Sequence, residues 1–392
     1  MSNTAFQFAP MPHIHFGWGI RYSLIRYLQK QYSARIVLIT GSFLSREGEF
    51  GQIIRDALLK TTRDVEHFIV SGEPSPELVD DIVSKCHIDT QVVIGIGGGS
   101  VLDAAKAIAG LIPSQNSVME YLEGVGMGKV FDVKTCPFIA VPTTAGTGSE
   151  TTKNAVLTKV GKFKKSFRDD SLLATQAWLD PELLKTCPDE VLFATGMDAF
   201  TQLIEAYTTH KSNPITDALA WQGIVLFMGA FENIKSVDEQ KQQEGYRNLM
   251  LASSLSGISL ANAGLGAVHG LASPIGAFFD APHGIVCAKL LAPITSANIE
   301  TLLKTNPESL ILTKYKQIGQ LYNQSAAKED TLAGLLKTLE DYALQYTPQG
   351  LSNYGLSVDN IQPVITNCRS GSMLGNPVTL SDEQLMQAIY KA

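Results

Sequence analysis

Short apolar runs alternate with amphipathic stretches through the first half of the chain. Residues 35–40 (RIVLIT), 65–70 (VEHFIV), 91–96 (QVVIGI) and 138–141 (FIAV) each end at glycine, serine or proline. Such continuous runs read as strands buried on both faces of a parallel sheet. Helical patterns lie between them at residues 76–86, with acids in the first turn, and at 101–111. The alternation predicts βαβ units. A hairpin is predicted over residues 154–167, turning at Val160 and Gly161. After about Pro188 strand signals nearly vanish, and helix-like segments follow at 189–210, 214–231 and 242–262, with shorter pieces beyond. The pattern predicts an α/β domain with a parallel sheet over residues 1–187 and an all-helical domain over 188–392. No repeat, low-complexity tract or long linker separates them, so close packing is expected, with a cleft between them as the place for chemistry.

Length agrees with this division: 392 residues at roughly 150 per domain give two or three domains. A 45% apolar and 18% charged composition is that of a globular chain. The net charge of -7 argues against non-specific nucleic-acid binding, which needs a basic face. No uninterrupted apolar run approaches the ~18 residues of a membrane helix. The N-terminus has no basic residue before Arg21 and no long apolar core, so neither a signal peptide nor membrane association is expected. The five cysteines, Cys86, Cys136, Cys187, Cys287 and Cys368, are scattered and form no C-x-x-C pair. They read as ordinary thiols in a reducing, cytoplasmic compartment.

Two loops carry candidate chemistry. In Gly95-Ile96-Gly97-Gly98-Gly99-Ser100 a buried strand runs through glycines directly into a helix. Glycines let backbone approach a pyrophosphate, and the helix N-terminus presents free N–H groups and partial positive charge. The G-x-G-x-x-G fingerprint is incomplete, since Ser100 stands where its last glycine is expected, and a plain strand–helix turn with Ser100 as N-cap is the bland alternative. The second loop, Pro142 to Glu150, holds four hydroxyls (Thr143, Thr144, Thr147, Ser149) and two glycines. Alone it reads as a polar surface loop. Two such loops at the carboxyl ends of strands in one sheet suit a nucleotide.

These residues resemble a known family. Gly97 to Lys106 (GGGSVLDAAK) and Pro142 to Glu150 (PTTAGTGSE) are similar to the two cofactor signatures of the group III, iron-type alcohol dehydrogenases. Gly196-Met197-Asp198-Ala199, Glu205-Ala206-Tyr207, His269-Gly270 and Pro282-His283-Gly284 resemble its signatures in the helical half. The last hundred residues carry no motif. The resemblance implies NAD(P)-dependent interconversion of a small alcohol with its aldehyde or ketone. It implies that Gly97, Gly98, Gly99 and Ser100 hold the pyrophosphate, and that Asp103 lies toward the nicotinamide amide or ribose. Thr143, Thr144, Thr147 and Ser149 would line the nicotinamide half, and Lys165 would approach the ribose. A solvated basic hairpin is the alternative for Lys162, Lys164 and Lys165.

The family binds iron or zinc through one aspartate and three histidines. Asp198, His269 and His283 match three positions, and Gln202 stands at the fourth. Ser273 stands where the family often has a further histidine that relays a proton. Gln202 is four residues after Asp198, on the same helix face. Its carboxamide oxygen is a neutral and weaker donor than imidazole, and oxygen ligation leaves room for Mg or Mn. The expected site is Asp198, His269, His283 and Gln202 around one divalent metal acting as a Lewis acid. His283 and Ser273 are the candidate catalytic residues, with the proton passing through water, the cofactor ribose or Ser273.

A carboxylate after the second strand would repel a 2′-phosphate; here Gly41 and Ser42 follow Thr40, and Arg46 is near, which favours NADP over NAD. His13 and His15 would share a face of an edge strand, and Arg168 and Asp170 read as a surface ion pair. The competing readings are a metal-free carbonyl reductase, an NAD-dependent sugar-phosphate cyclase and a nucleotide-binding protein without catalysis. Apolar neighbours such as Gly266-Ala267-Val268 and Gly276-Ala277-Phe278-Phe279 point to a small, weakly charged substrate. A homodimer is the expected assembly.

Overall fold

The computed structural model describes residues 5–46, 48–60, 64–322, 331–357 and 359–392. They form two compact units: Ala9–Cys187, and a second built from Pro188–Ala392 with which residues 5–8 group.

The first unit is a six-stranded parallel sheet. Its strands are β1 (His13–Phe16), β2 (Ile36–Gly41), β3 (Val65–Val70), β4 (Val92–Gly97) and β5 (Phe138–Pro142), then, past the two-stranded hairpin β6 (Asn154–Lys159) and β7 (Phe163–Arg168), β8 (Gln176–Leu179). The sheet order is β1-β8-β5-β4-β2-β3. Helices α1 (Arg21–Gln31), α2 (Phe50–Leu58), α3 (Pro76–Lys85) and α4 (Gly99–Leu111) cover it. On β2, Ile36 and Leu38 face a core with Leu24 and Leu28 of α1 and Ile54 and Leu58 of α2. Val37 and Ile39 face the other core, with Val79 and Ile82 of α3 and most of α4. Two covered faces explain why these strands read as continuous apolar runs rather than alternating ones. Each fully buried Leu or Ile contributes about 1.5–3 kcal/mol.

The chain reverses direction across the sheet between β2 and β4: β3 lies outside β2, and β4 lies on its other side. The crevice at the carboxyl ends of such a pair is where open α/β sheets bind ligands. β8 was not legible as a strand, whereas β1 is the edge strand expected at His13 and His15. Each is only four residues long and lacks a β-branched run. β1 is the edge, and its His13 and His15 rings stack at 4.5 Å, with His15 stacked on Trp178 at 3.9 Å.

The second unit holds α5 (Asp189–Thr208), α6 (Pro214–Phe227), α7 (Ala230–Ile234), α8 (Glu239–Ala263), α9 (Ala267–Phe278), α10 (His283–Thr305), α11 (Leu310–Tyr322), α12 (Thr331–Tyr346), α13 (Gln362–Asn367) and α14 (Asp382–Lys391). The single helix expected over 214–231 is two, because Gly229 takes a left-handed φ of 73° and ends the first. α8 and α9 meet at 100°. α10 has the length and mean hydropathy of a membrane span. Its apolar positions are instead spent on α5, α9, α12 and α14, as in any core helix.

Lys106 of α4 is fully buried. Its ammonium donates to Ser149 O at 2.8 Å, Ser149 Oγ at 3.1 Å, Thr152 Oγ1 at 3.1 Å and Asn154 O at 2.8 Å. One turn earlier, Asp103 accepts from Ser149 Oγ at 2.5 Å and from Val156 N at 3.0 Å. Together they bracket α4 to the loop after β5 and to the hairpin. Lys106→Met removes four hydrogen bonds and the cation beside buried Asp103, and is expected to destabilise the unit by about 3–5 kcal/mol. Urea unfolding checks this; a midpoint equal to wild type would show the bracket dispensable.

Candidate functional site

The two glycine loops meet. β4 and β5 are neighbours, with Gly97 opposite Pro142, and Thr143 N donates to Gly97 O at 3.0 Å. A Cβ on Gly99 would lie 2.6 Å from Thr147 Cγ2, and one on Gly98 3.1 Å from Thr144 Cγ2. Only glycine lets the threonines fold this closely over the backbone. Gly98, not Ser100, is the N-cap of α4, and no side chain caps that end. Bare backbone at an uncapped helix N-terminus fits a pyrophosphate. Gly98, Gly99, Ser100, Thr144 and Thr147 are half-buried, whereas Thr143, Ser149 and Asp103 are buried. Asp103 and Ser149 bond each other, and beyond that Asp103 accepts from Val156 N of β6 and Ser149 Oγ from Lys106. Gly41 ends β2, the strand next to β4, and Ser42 follows it in the turn. Arg46 is exposed and stacks over Phe43 at 5.3 Å. Lys165 is exposed on β7 opposite Leu157. Arg168 pairs with Glu123 and Asp170 with Lys153, rather than with each other.

The second cluster lies wholly within the helical unit. Asp198, Gln202 and Glu205 repeat at four and three residues along one face of α5. His269 comes from α9, and His283 and Cys287, four apart, from α10. A Cβ on Gly284 would lie 2.1 Å from Ala194 O, so the start of α10 reaches α5 only because residue 284 has no side chain. His269 stands between two carboxylates, with Nδ1 2.6 Å from Glu205 Oε2 and Nε2 3.0 Å from Asp198 Oδ1. His283 Nε2 is 3.8 Å from Asp198 Oδ1. Cys287 Sγ is 3.7 Å from each Nε2. Gln202 is buried, accepts from Ser256 Oγ at 2.8 Å, and bonds to Asp198 through its amide. Ser273 is exposed; its Oγ lies 3.4 Å from His269 O, one turn back.

Glu205 decides the chemistry of this cluster. Its Oε1 accepts from Val268 N at 2.7 Å in the first turn of α9, where the helix dipole favours negative charge. Its Oε2 accepts from His269 Nδ1–H, which turns Nε2 toward Asp198. Either a second imidazole proton or a cation would stand between Nε2 and Asp198 Oδ1. One ligand atom each from Asp198, His269, His283 and Cys287 lies within 4.8 Å of the others, so the donor set fits a divalent metal. Burial opposes the charge on Asp198, yet His283 and His269 outweigh it and hold the carboxyl down at about 2. Burial also opposes charge on His269, but Cys287, Glu205 and Asp198 outweigh it and raise the imidazole well above its usual range. Burial pushes the Cys287 thiol up to about 12.

The family profile "Iron-containing alcohol dehydrogenase" matches residues 11–181, and "Fe-containing alcohol dehydrogenase family, C-terminal" matches 192–392. The chain belongs to the iron-containing alcohol dehydrogenase family. It is 28% identical to alcohol dehydrogenase 4 of Saccharomyces cerevisiae over 100% of this chain and 99% of that one. It is 30% identical to the NAD-dependent methanol dehydrogenase of Bacillus methanolicus over 93% of each. An alcohol dehydrogenase structure from Oenococcus oeni matches with a TM-score of 0.85 at 26% identity, covering 99% of this chain and 100% of that one. Membership implies oxidoreduction of alcohols and aldehydes with a nicotinamide dinucleotide and a divalent metal.

Within that family frame, the fold brings Asp198, Gln202, His269 and His283 together in one unit, and Gly97–Ser100 with Thr144 and Thr147 in the other. Two residues of the cluster escaped the sequence reading. Glu205 lay inside a quoted motif, and its seven-residue spacing from Asp198 was the available signal. Cys287 was passed over among the scattered cysteines, although it is one helical turn after His283. Glu205→Gln is expected to weaken metal binding about 10–100-fold, by losing the charge that fixes His269. Competition against a chromophoric chelator reads this directly, and an unchanged affinity would reduce Glu205 to a packing role.

Proposed function

We propose that the chain interconverts a small alcohol and its aldehyde or ketone, with NADP(H) preferred over NAD(H), and with iron or zinc held by Asp198, His269 and His283. The observation that carries this reading is the buried imidazole–carboxylate cluster, in which Glu205 holds His269 by Nδ1 with its Nε2 turned toward Asp198. When bound, the metal supplies Lewis-acid polarisation of the substrate oxygen and the nicotinamide exchanges a hydride.

The residues of the chain divide the remaining work. The backbone of Gly97, Gly98 and Gly99 and the first turn of α4 hold the pyrophosphate. Ser100, Thr144 and Thr147 offer hydroxyls to the cofactor, while Asp103 and Ser149 set the loop from inside, beneath Thr143. Gly41 and Ser42, at the switch point, take the ribose end, with Lys165 as its second candidate. The segment 41–46 carries no carboxylate and ends in the exposed Arg46, which favours a 2′-phosphate. The Bacillus relative is named for NAD, so cofactor choice belongs in the test. A small alcohol or aldehyde accords with the family; Ala267 and Val268, the apolar neighbours of His269, are spent in the core and do not bear on the substrate's charge.

The test is the metal content of protein purified without chelator and reloaded anaerobically with Fe(II) or Zn(II). About one metal per chain is expected, lost in Asp198→Ala and His283→Ala, with metal-dependent reduction across an aldehyde panel and a lower KM for NADPH than NADH. Reduction without bound metal would favour metal-free chemistry, and no turnover on any aldehyde a non-catalytic role. A lower KM for NADH would overturn the cofactor preference.

A neutral serine is not a free base near pH 7, so the proton passes through water beside Ser273. Ser273→Ala is therefore expected to lose less than about tenfold in kcat, below the roughly 10²–10⁴-fold that a general acid or base contributes. A loss of several hundredfold would make the hydroxyl itself the relay.

A further inference from the structure

We propose that the Cys287 thiolate is the fourth protein ligand of the metal, in the place the family gives to a third histidine. This rests on the metal-assisted reading above. Around one tetrahedral cation with bonds of ~2.0–2.3 Å, ligand atoms stand roughly 3.3–3.6 Å apart. Four edges of that figure are present: 3.0 Å from His269 Nε2 to Asp198 Oδ1, 3.8 Å from His283 Nε2 to the same oxygen, and 3.7 Å from Cys287 Sγ to each Nε2. Gln202, the residue at the position of the missing histidine, is occupied otherwise. Its oxygen accepts from Ser256 at 2.8 Å and its amide bonds to Asp198, so it orients a ligand.

Ligation exchanges one bond for another. The Cys287 S–H proton leaves to solvent, and the sulfur lone pair forms the bond to the metal. No electrons are transferred. A thiolate beside the Asp198 carboxylate brings two negative charges to a dication, where the Gln202 alternative brings one. It also softens the site, favouring zinc over magnesium or manganese. Among the described residues, Cys287 is the only cysteine in a cluster of this kind.

The test loads the full-length metal-free protein anaerobically with Co(II) alone and records its absorption. Wild type is expected to bind about one Co(II) with a thiolate-to-cobalt charge-transfer band in the near ultraviolet. In Cys287→Ser and Cys287→Ala the band should vanish and affinity should fall by at least 10–100-fold. Their thermal midpoints report folding. If neither variant folds, the wild-type band still decides, since no other cysteine sits among metal-binding groups in the described chain. Co(II) bound by wild type without the band overturns the proposal alone. A band that persists in folded Cys287→Ser does the same. No Co(II) bound by wild type overturns both this proposal and the metal-assisted reading.

Discussion

Two carboxylates share one imidazole inside the helical unit, and the rest of the site depends on that arrangement. Asp198 and Glu205 are 2% and 7% exposed, and His269 is 6% exposed. Buried charges are costly unless paired. The cluster meets this requirement in layers. Glu205 is stabilised by the first turn of α9 and by His269 Nδ1, and Asp198 by His269, His283 and Gln202. What is left is a group of potential ligand atoms from Asp198, His269, His283 and Cys287 gathered about one point. A cation entering there would give up its own hydration, but the protein has already taken the ligands out of water.

The supports of this group come from places where the sequence carries no signature. Asn376, in the motif-free last hundred residues, accepts from Ala267 N at 3.1 Å and so caps α9 two residues before His269. It is held in turn by Asn298 of α10, with Asn376 Nδ2 donating to Asn298 Oδ1 at 2.7 Å. Gly270 lies against Met373, whose Cβ would be 2.8 Å from an added methyl. A packed core transmits such contacts as position rather than chemistry. The same position can be held by many residue types, which is why no motif marks these supports.

Legibility follows the same division between chemistry and position. The apolar runs of β2, β4 and β5 were legible because burial on both faces leaves nothing else for those residues to be, and edge strand β3, half-buried, was legible from its β-branched ends. The glycine loops were legible because only glycine tolerates Thr147 at that distance from residue 99. β8 was not, since Gln176-Ala177-Trp178-Leu179 owes its conformation to pairing with β1 and β5 rather than to local preference. The split of α6 from α7 turns on one left-handed glycine, which a helical pattern absorbs without trace. In the site, matching by motif located Asp198, His269 and His283. It was blind to Cys287, because a motif scores expected residues and not unexpected ones at the right spacing.

That spacing argues for a physical account of the family departure. Gln202 is four residues after Asp198 on α5, and Cys287 is four residues after His283 on α10. Residues four apart share a helix face, so each side chain is presented toward the same point by the ligand that precedes it. Replacing an imidazole on α5 by a carboxamide removes one strong donor. A thiol on α10 at the equivalent offset is able to return one, without moving either helix. The exchange is not neutral in charge: a neutral nitrogen is lost and an anionic sulfur gained. On the reading proposed here, the electron demand of the metal, and with it its pull on a bound oxygen, is weaker than in a three-histidine site. What the cluster gains is retention of a soft cation, which a site left with only two imidazoles, one carboxylate and an amide would hold poorly.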